Sequence, residues 1–347
     1  MKNISLLLTV VIFIFSCKKE YQPRTIEKIT IQEFKMDSTS IRAIQVISKN
    51  EVYFAGSLGD IGHTNDNGNS WTTEYIHFQD SISPNFRSIA SNGTDIFALS
   101  IVNPALLYKI SDKKNELVYT ETHEKVFYDA MKFFPDGKNG IAVGDPTEDC
   151  LSIILTSDGG NSWHKINCSN LPKIDDGEAF FAASNTNIAI IKNTIWLATG
   201  GKKARIFKST DKGNTWTIFD TPIVQGNGPQ GIYSIGFYDE NNGIIIGGDY
   251  SKPKANKQNK AITADGGKTW TLVADGQNPS YKSCVQYVPE TNGKEVFAVG
   301  KTGISFSNDG GNTWTEVSTD SYYAIQFVDR NTAWLSGHQK MGKLVLK

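Results

Sequence analysis

An eight-residue pattern, [Ser/Thr]-x-Asp-x-Gly-x-x-Trp, recurs five times along this chain and constrains its fold more than any other feature. The copies occupy residues 64–71, 156–163, 209–216, 263–270 and 307–314. A sixth, decayed copy runs over 110–117: Asp112 is kept, Lys114 stands where Gly is expected and Leu117 where Trp is expected. The closing positions 71, 117, 163, 216, 270 and 314 lie 44 to 54 residues apart, which is the spacing of propeller blades.

Each residue type in the pattern has an architectural role. Ile304-Ser305-Phe306 and Thr315-Glu316-Val317 flank one copy, so β-prone segments enter and leave it and the turn joins antiparallel strands. The Asp carboxylate accepts hydrogen bonds from its own turn, and Gly supplies a positive φ. Trp buries a large ring against the neighbouring sheet, where truncation costs about 3–5 kcal/mol. The pattern resembles the Asp-box, or BNR repeat, found in many β-propellers, sialidases among them. Asp66, Asp158, Asp211, Asp265 and Asp309 therefore read as structural residues and not as catalytic acids.

A second repeat counts the blades. Seven triplets precede the turns: Arg42-Ala43-Ile44, Arg87-Ser88-Ile89, Asp129-Ala130-Met131, Glu178-Ala179-Phe180, Tyr233-Ser234-Ile235, Ser283-Cys284-Val285 and Tyr323-Ala324-Ile325. The middle residue is small and the third apolar in all seven, as innermost strands converging on an axis require. The expected fold is all-β, a seven-bladed propeller of four-stranded antiparallel blades. The last blade has only three strands of its own, and the alternating segment 25–34 is expected to supply its outer strand and close the ring.

The front of the chain reads as an export signal. Lys2 precedes an apolar run over 4–15 that is too short to span a bilayer comfortably, and Ser16-Cys17 follows. This resembles a bacterial lipobox, which implies a signal peptide over 1–16, lipidation of Cys17, a tether over 17–24 and a propeller over 25–347. An ordinary secreted protein with an incidental cysteine is the alternative. The expected location is the bacterial cell envelope, with the membrane contacted through the lipid. A formal net charge of -1 and only five Arg argue against a nucleic-acid surface, and a monomer is expected. Cys150 and Cys168 flank one turn almost symmetrically and either form a cross-strand disulfide or remain two thiols. No Cys/His spacing suggests a metal, and no cofactor is expected.

The first members of the triplets, Arg42, Arg87, Asp129, Glu178, Tyr233, Ser283 and Tyr323, should gather at one mouth of the central channel. Asp145, Arg205 and Asp249 are expected nearby on loops. The ring is either a binding site or a self-satisfied network in which the two arginines neutralise Asp129 and Glu178.

The chain resembles the photosystem II stability/assembly factor-like propellers, most closely the bacterial envelope versions often labelled only "oxidoreductase". The likeness rests on Ser40-Ile41-Arg42-Ala43-Ile44, Gly144-Asp145-Pro146, Gly177-Glu178-Ala179, Gly247-Gly248-Asp249, Tyr281-Lys282-Ser283-Cys284 and the Asp turns. It implies a non-catalytic binding or assembly role with an envelope protein or glycan as partner. No nicotinamide, haem or flavin motif supports the oxidoreductase label. The competing class is a sialidase-like or other glycoside hydrolase, with Asp129 and Glu178 as an acid/base pair. Against it, Phe86-Arg87-Ser88 lacks the proline of the sialidase Arg-Ile-Pro motif, and a third arginine could come only from Arg205 or Arg330.

Overall fold

The computed structural model describes residues 21–111 and 114–346; the expected signal peptide, Cys17 and Asp112 lie outside them. Seven antiparallel sheets form a closed ring. Their inner strands are Ala43–Val46, Phe86–Ser91, Tyr128–Phe133, Ile188–Ile191, Gln230–Phe237, Cys284–Tyr287 and Ala324–Phe327, and each touches the next, with the seventh returning to the first. Blade 6 shows the plan: Cys284–Tyr287, Val296–Gly300, Gly303–Ser307 and Thr315–Ser318 pair in order from the axis outward.

Blade 7 is closed by the N-terminal strand. Thr332–Val345 turns at Gln339, whose φ is 55°. Its first arm pairs with Ala324–Phe327 and its second with Ile31–Ser40, so the sheet has four runs. The closing strand begins later than the sequence suggests, because residues 21–30 run outside blade 6 instead. There Arg24 reaches Glu295 through Nε at 2.8 Å and Arg330 O through Nη2 at 2.7 Å, and Asn308 Nδ2 donates to Arg24 O at 3.1 Å.

The core is divided among the interfaces between blades. One buried cluster joins Phe97, Leu99 and Leu107 of blade 2 to Tyr128, Met131 and Ile154 of blade 3, and another joins blades 6 and 7. Each fully buried side chain of this size contributes roughly 1.5–3 kcal/mol. The turns staple this arrangement. Thr64 Oγ1 donates to Asp66 Oδ1 at 2.9 Å and accepts from Gly68 N at 3.0 Å, while Ser70 N and Oγ donate to the same carboxylate at 2.9 and 2.6 Å. The hydroxyl–carboxylate bond recurs at Asp158, Asp211, Asp265 and Asp309. The tryptophans pack towards the preceding blade: Trp71 lies 6.0 Å from Trp334 of blade 7, and Trp163 lies 6.5 Å from Phe97 of blade 2.

Cys150 and Cys168 are joined by a disulfide with Cα atoms 5.5 Å apart. They sit outside the strand-three and strand-four ladder, Cys168 opening a short 3-10 turn at Cys168–Asn170.

Blade 4 departs from the expectation. Glu178-Ala179 is not its inner strand; it pairs with Gly200–Gly201 and continues the blade 5 sheet beyond its innermost strand, Gln230–Phe237, on the side away from the outer strands. The inner strand starts ten residues further on, at Ile188. Residues 180–187 between them run into the channel.

Candidate functional site

Three of the rim residues are delivered by the same local device. The ladder pairs Phe86 with Ser100 and then Ser88 with Leu99, leaving Arg87 unpaired. Asp129 is skipped in the same way between Tyr128 and Ala130, and Tyr233 between Ile232 and Ser234. Such bulges turn the extra residue out of the sheet's alternation. Here they turn it into the channel, while the small residues that follow, Ser88, Ala130 and Ser234, stay fully buried.

Arg42, Arg87, Asp129, Tyr233, Ser283 and Tyr323 all line one cavity of about 510 Å³. Glu178 does not. Its carboxylate accepts from Thr199 Oγ1 at 2.6 Å and Arg205 Nε at 3.1 Å, and Arg205 Nη2 closes the pair. Because Thr199 and Arg205 hold the Glu178 carboxylate away from this cavity, Glu178 and Asp129 are not a pair facing one ligand. Arg205 is likewise committed to Glu178, and Asp249 to Ser251. Asp145 does line the cavity.

The floor is a strap made by residues 182–186, and it reaches four blades. Arg87 Nη1 donates to Ala182 O at 3.0 Å, and Ser184 Oγ donates to Ser283 O at 2.6 Å. Asn185 accepts from Met131 N at 2.9 Å and donates to Ile89 O at 2.7 Å. Thr186 Oγ1 donates to Ser234 Oγ at 2.7 Å. A smaller space of about 230 Å³ lies on the other side of the strap, walled by Gln45, Lys132, Gln286 and Gln326. The channel is therefore closed at mid-depth.

The polar groups above the strap are incompletely satisfied. Arg42 Nε, Arg87 Nε and both Asp129 oxygens are buried with no hydrogen-bond partner. Neither arginine forms an ion pair with a described residue, so the rim does not neutralise itself as a closed network. Arg42 instead lies 3.9 Å from the centre of the Tyr323 ring, a cation–π contact. Burial, with the nearby Arg42 charge, lowers Arg87 to about 10, against the pull of Asp129. Burial and then the Asp145 charge push Asp129 well above the usual carboxyl range, more than Arg87 and the nearby backbone amides of Asp145 and Ala182, which stop short of full hydrogen bonds, restore. Asp145 is raised by burial to about 6, although Phe180 N donates to it at 2.8 Å. The cavity thus gathers two guanidinium groups, the Lys301 side chain and two carboxyl groups that burial raises.

The walls are aromatic. Phe181 stacks on Tyr233 at 3.9 Å, and Tyr281 meets Tyr233 edge-on at 4.9 Å. Phe127, Tyr250 and Lys301 complete the wall. These come from loops; Phe127 and Tyr281 stand two positions before Asp129 and Ser283, and Phe181 directly follows Phe180.

Structures of similar fold cover nearly the whole chain. One is YCF48 bound to D1 peptide, at TM-score 0.66 and 13% identity, covering 93% of this chain and 100% of that one. A second is YCF48 from Cyanidioschyzon merolae, at 0.65 and 15%, covering 91% and 98%. A third is the RRP9 WD40 repeats, at 0.65 and 10%, covering 93% and 100%. At these identities the likeness is one of fold alone. A family model described as sortilin, neurotensin receptor 3, matches residues 151–303, less than half of the chain. No curated protein matches the chain in sequence.

Proposed function

We propose that this chain is a non-catalytic binding propeller of the bacterial cell envelope, anchored by lipid on Cys17, that takes the carboxylate end of a partner polypeptide into the channel cavity. The observation that carries this reading is the unmet polar demand above the strap: two arginine Nε groups and both oxygens of Asp129, buried and unpartnered. Buried polar groups in folded proteins are nearly all paired, so such a cluster fits a missing partner. A carboxylate matches the forked guanidinium groups of Arg42 and Arg87. The strap favours a chain end over a passing segment, because nothing can leave through the floor. The aromatic walls suit the last side chains of a peptide. A structure of similar fold, YCF48, holds a peptide, which supports a polypeptide ligand. If the segment belongs to a newly made envelope protein, the role is that of an assembly factor.

The test is a fluorescence-anisotropy screen of fluorophore-labelled peptides, each with a free and an amidated C-terminus. A preference for the free carboxylate, lost in the Arg42→Ala/Arg87→Ala variant, supports the reading. Equal binding of both forms, or binding that survives the double variant, refutes it.

A further inference from the structure

The smaller chamber beneath the strap, of about 230 Å³, is lined by hydrogen-bond donors and by no acid. Gln45, Lys132, Gln286 and Gln326 each follow the apolar third residue of their triplet, one step further along the inner strand than Ile44, Met131, Val285 and Ile325. Among the described residues that wall the chamber there is no Asp or Glu, and Lys132 is the charged one.

Two of these side chains cap the free edge of the next inner strand. Val46 N of blade 1 donates to Gln326 Oε1 of blade 7 at 2.8 Å, and Phe327 N of blade 7 donates to Gln286 Oε1 of blade 6 at 2.9 Å. A backbone N–H can only donate, so each carboxamide must give its oxygen to that bond and keep its Nε2 for another partner. Neither Nε2 finds one among the described residues. Lys132 Nζ reaches Ile188 O of blade 4 at 3.4 Å and forms no ion pair with a described residue, so most of its donor capacity is also unspent. Gln45 differs: its Nε2 donates to Val46 O at 3.1 Å, which leaves its Oε1 as an acceptor without a partner. Desolvation by the surrounding ring lowers Lys132 from its ordinary value, against a smaller pull from Cys284, although the side chain keeps surface open to water. The order of the blades sets these donors against one another. In a ring of seven, blade 3 stands opposite the gap between blades 6 and 7, so Lys132 lies across the axis from Gln286 and Gln326.

We propose that this lower chamber binds a phosphate group, held by Lys132 and by the Nε2 groups of Gln286 and Gln326. A tetrahedral anion offers acceptors in several directions at once and suits donors that converge from opposite sides of a ring. A carboxylate, with two oxygens on one side, does not. Bonds from an ammonium to an oxyanion are charge-assisted, and lysine serves phosphate as a point charge. At neutral pH a phosphate ion also keeps a P–O–H, which matches the free oxygen of Gln45. The strap separates this chamber from the channel cavity, and the inference does not depend on what the channel binds.

The test is a ¹H–¹⁵N NMR titration of the mature chain with sodium phosphate at neutral pH and constant ionic strength, read at the carboxamide signals of Gln286 and Gln326. A saturable shift with a dissociation constant of about 1 mM is expected, and binding about tenfold weaker for sulfate, which has no O–H to offer Gln45. Lys132→Gln removes the charge at similar length and should weaken binding about tenfold. Gln326→Glu still gives Val46 N an oxygen but turns the chamber's donor into a carboxylate oxygen, so the Gln286 shift should vanish while the melting temperature stays near that of the wild type. Arg42→Ala/Arg87→Ala should leave the titration unchanged, which separates this site from the arginines above the strap. Glycerol 3-phosphate is titrated in parallel: tighter binding than phosphate assigns the chamber to an organic phosphate, weaker binding assigns it to the free ion, and both support the proposal. The proposal is overturned if no saturable shift occurs up to about 20 mM, if sulfate binds equally, or if binding persists undiminished in Lys132→Gln and Gln326→Glu.

Discussion

Phe181 lies flat on Tyr233, with ring centroids 3.9 Å apart and planes within 4°. One ring belongs to the segment leading into the strap, the other to a bulge in the inner strand of blade 5. The strap is therefore packed as well as hydrogen-bonded, and the cavity floor is a rigid part of the ring.

Asn185 is the strap's central tie. Replacing it with Ala leaves the Met131 amide and the Ile89 carbonyl without their partner and should cost about 2–3 kcal/mol, measured as a shift in the urea midpoint. Asn185 also has a φ of 60°, so Asn185→Gly should be less harmful than Asn185→Ala. Equal losses in the two variants would mean that backbone conformation is unimportant at this position.

Glu178→Gln separates stability from binding. The pair with Arg205 is buried on the Glu side, and breaking it should destabilise the fold by about 2–3 kcal/mol, somewhat under the range for fully buried pairs because Arg205 is 14% exposed. Peptide affinity should be unchanged in anisotropy measurements, since Glu178 stands outside the cavity. A selective loss of affinity would return it to the site.

Asp145 should make anion binding depend on pH. Its carboxyl is raised to about 6, so the cavity gains a negative charge as pH rises through that value. A peptide carboxylate should bind more tightly at pH 5 than at pH 7.5, provided its own group stays ionised, and Asp145→Asn should flatten the profile. The same shift makes the folded state bind more protons than the unfolded one between about pH 4 and 6, so Asp145 lowers stability as pH rises across that window.

The Asp turns act in the opposite sense. The hydroxyl and amide of Ser70 hold Asp66 at about 2, below its ordinary 3.8. At Asp158 and Asp265 burial pulls the other way, and hydrogen bonds from Ser162 and Thr269 still bring them to about 2. A depressed carboxyl contributes its stability above the unfolded value and loses it as pH falls through the folded one. Melting temperature should therefore drop between about pH 4 and 2, and Asp66→Asn should show a shallower drop than the wild type.

Much of the ring was legible in sequence because its signals are local. The turn needs Asp, Gly and Trp at set spacing, and an inner strand needs a small residue after its rim residue; both leave periodic marks. Arg87, Asp129 and Tyr233 could be found because a polar residue beside a small one interrupts an apolar strand. Glu178-Ala179-Phe180 matched the same marks for a different reason, since Ala179 and Phe180 do line the cavity but from an entering segment. The true strap, Ala182-Ala183-Ser184-Asn185-Thr186, carries no apolar third residue, and its bonds reach blades up to 99 residues away in sequence. Phe181, Tyr250 and Lys301 join the cavity through loops whose courses no periodicity records. In blade 2, counting an eight-residue copy placed Leu117 at the tryptophan position, and only the strand register, which pairs Leu117 with Tyr108, shows the turn to be shorter.

The Arg24 cluster also has a mechanical meaning. Ring closure depends on Ile31–Ser40, a strand that could peel away one hydrogen bond at a time if it were pulled from its leading end. Arg24 instead grips Glu295 of blade 6 and the Arg330 carbonyl beside blade 7, ahead of that strand. Tension arriving at Tyr21 is borne first by this mooring, across two blades at once, and the seam of the ring is shielded from load.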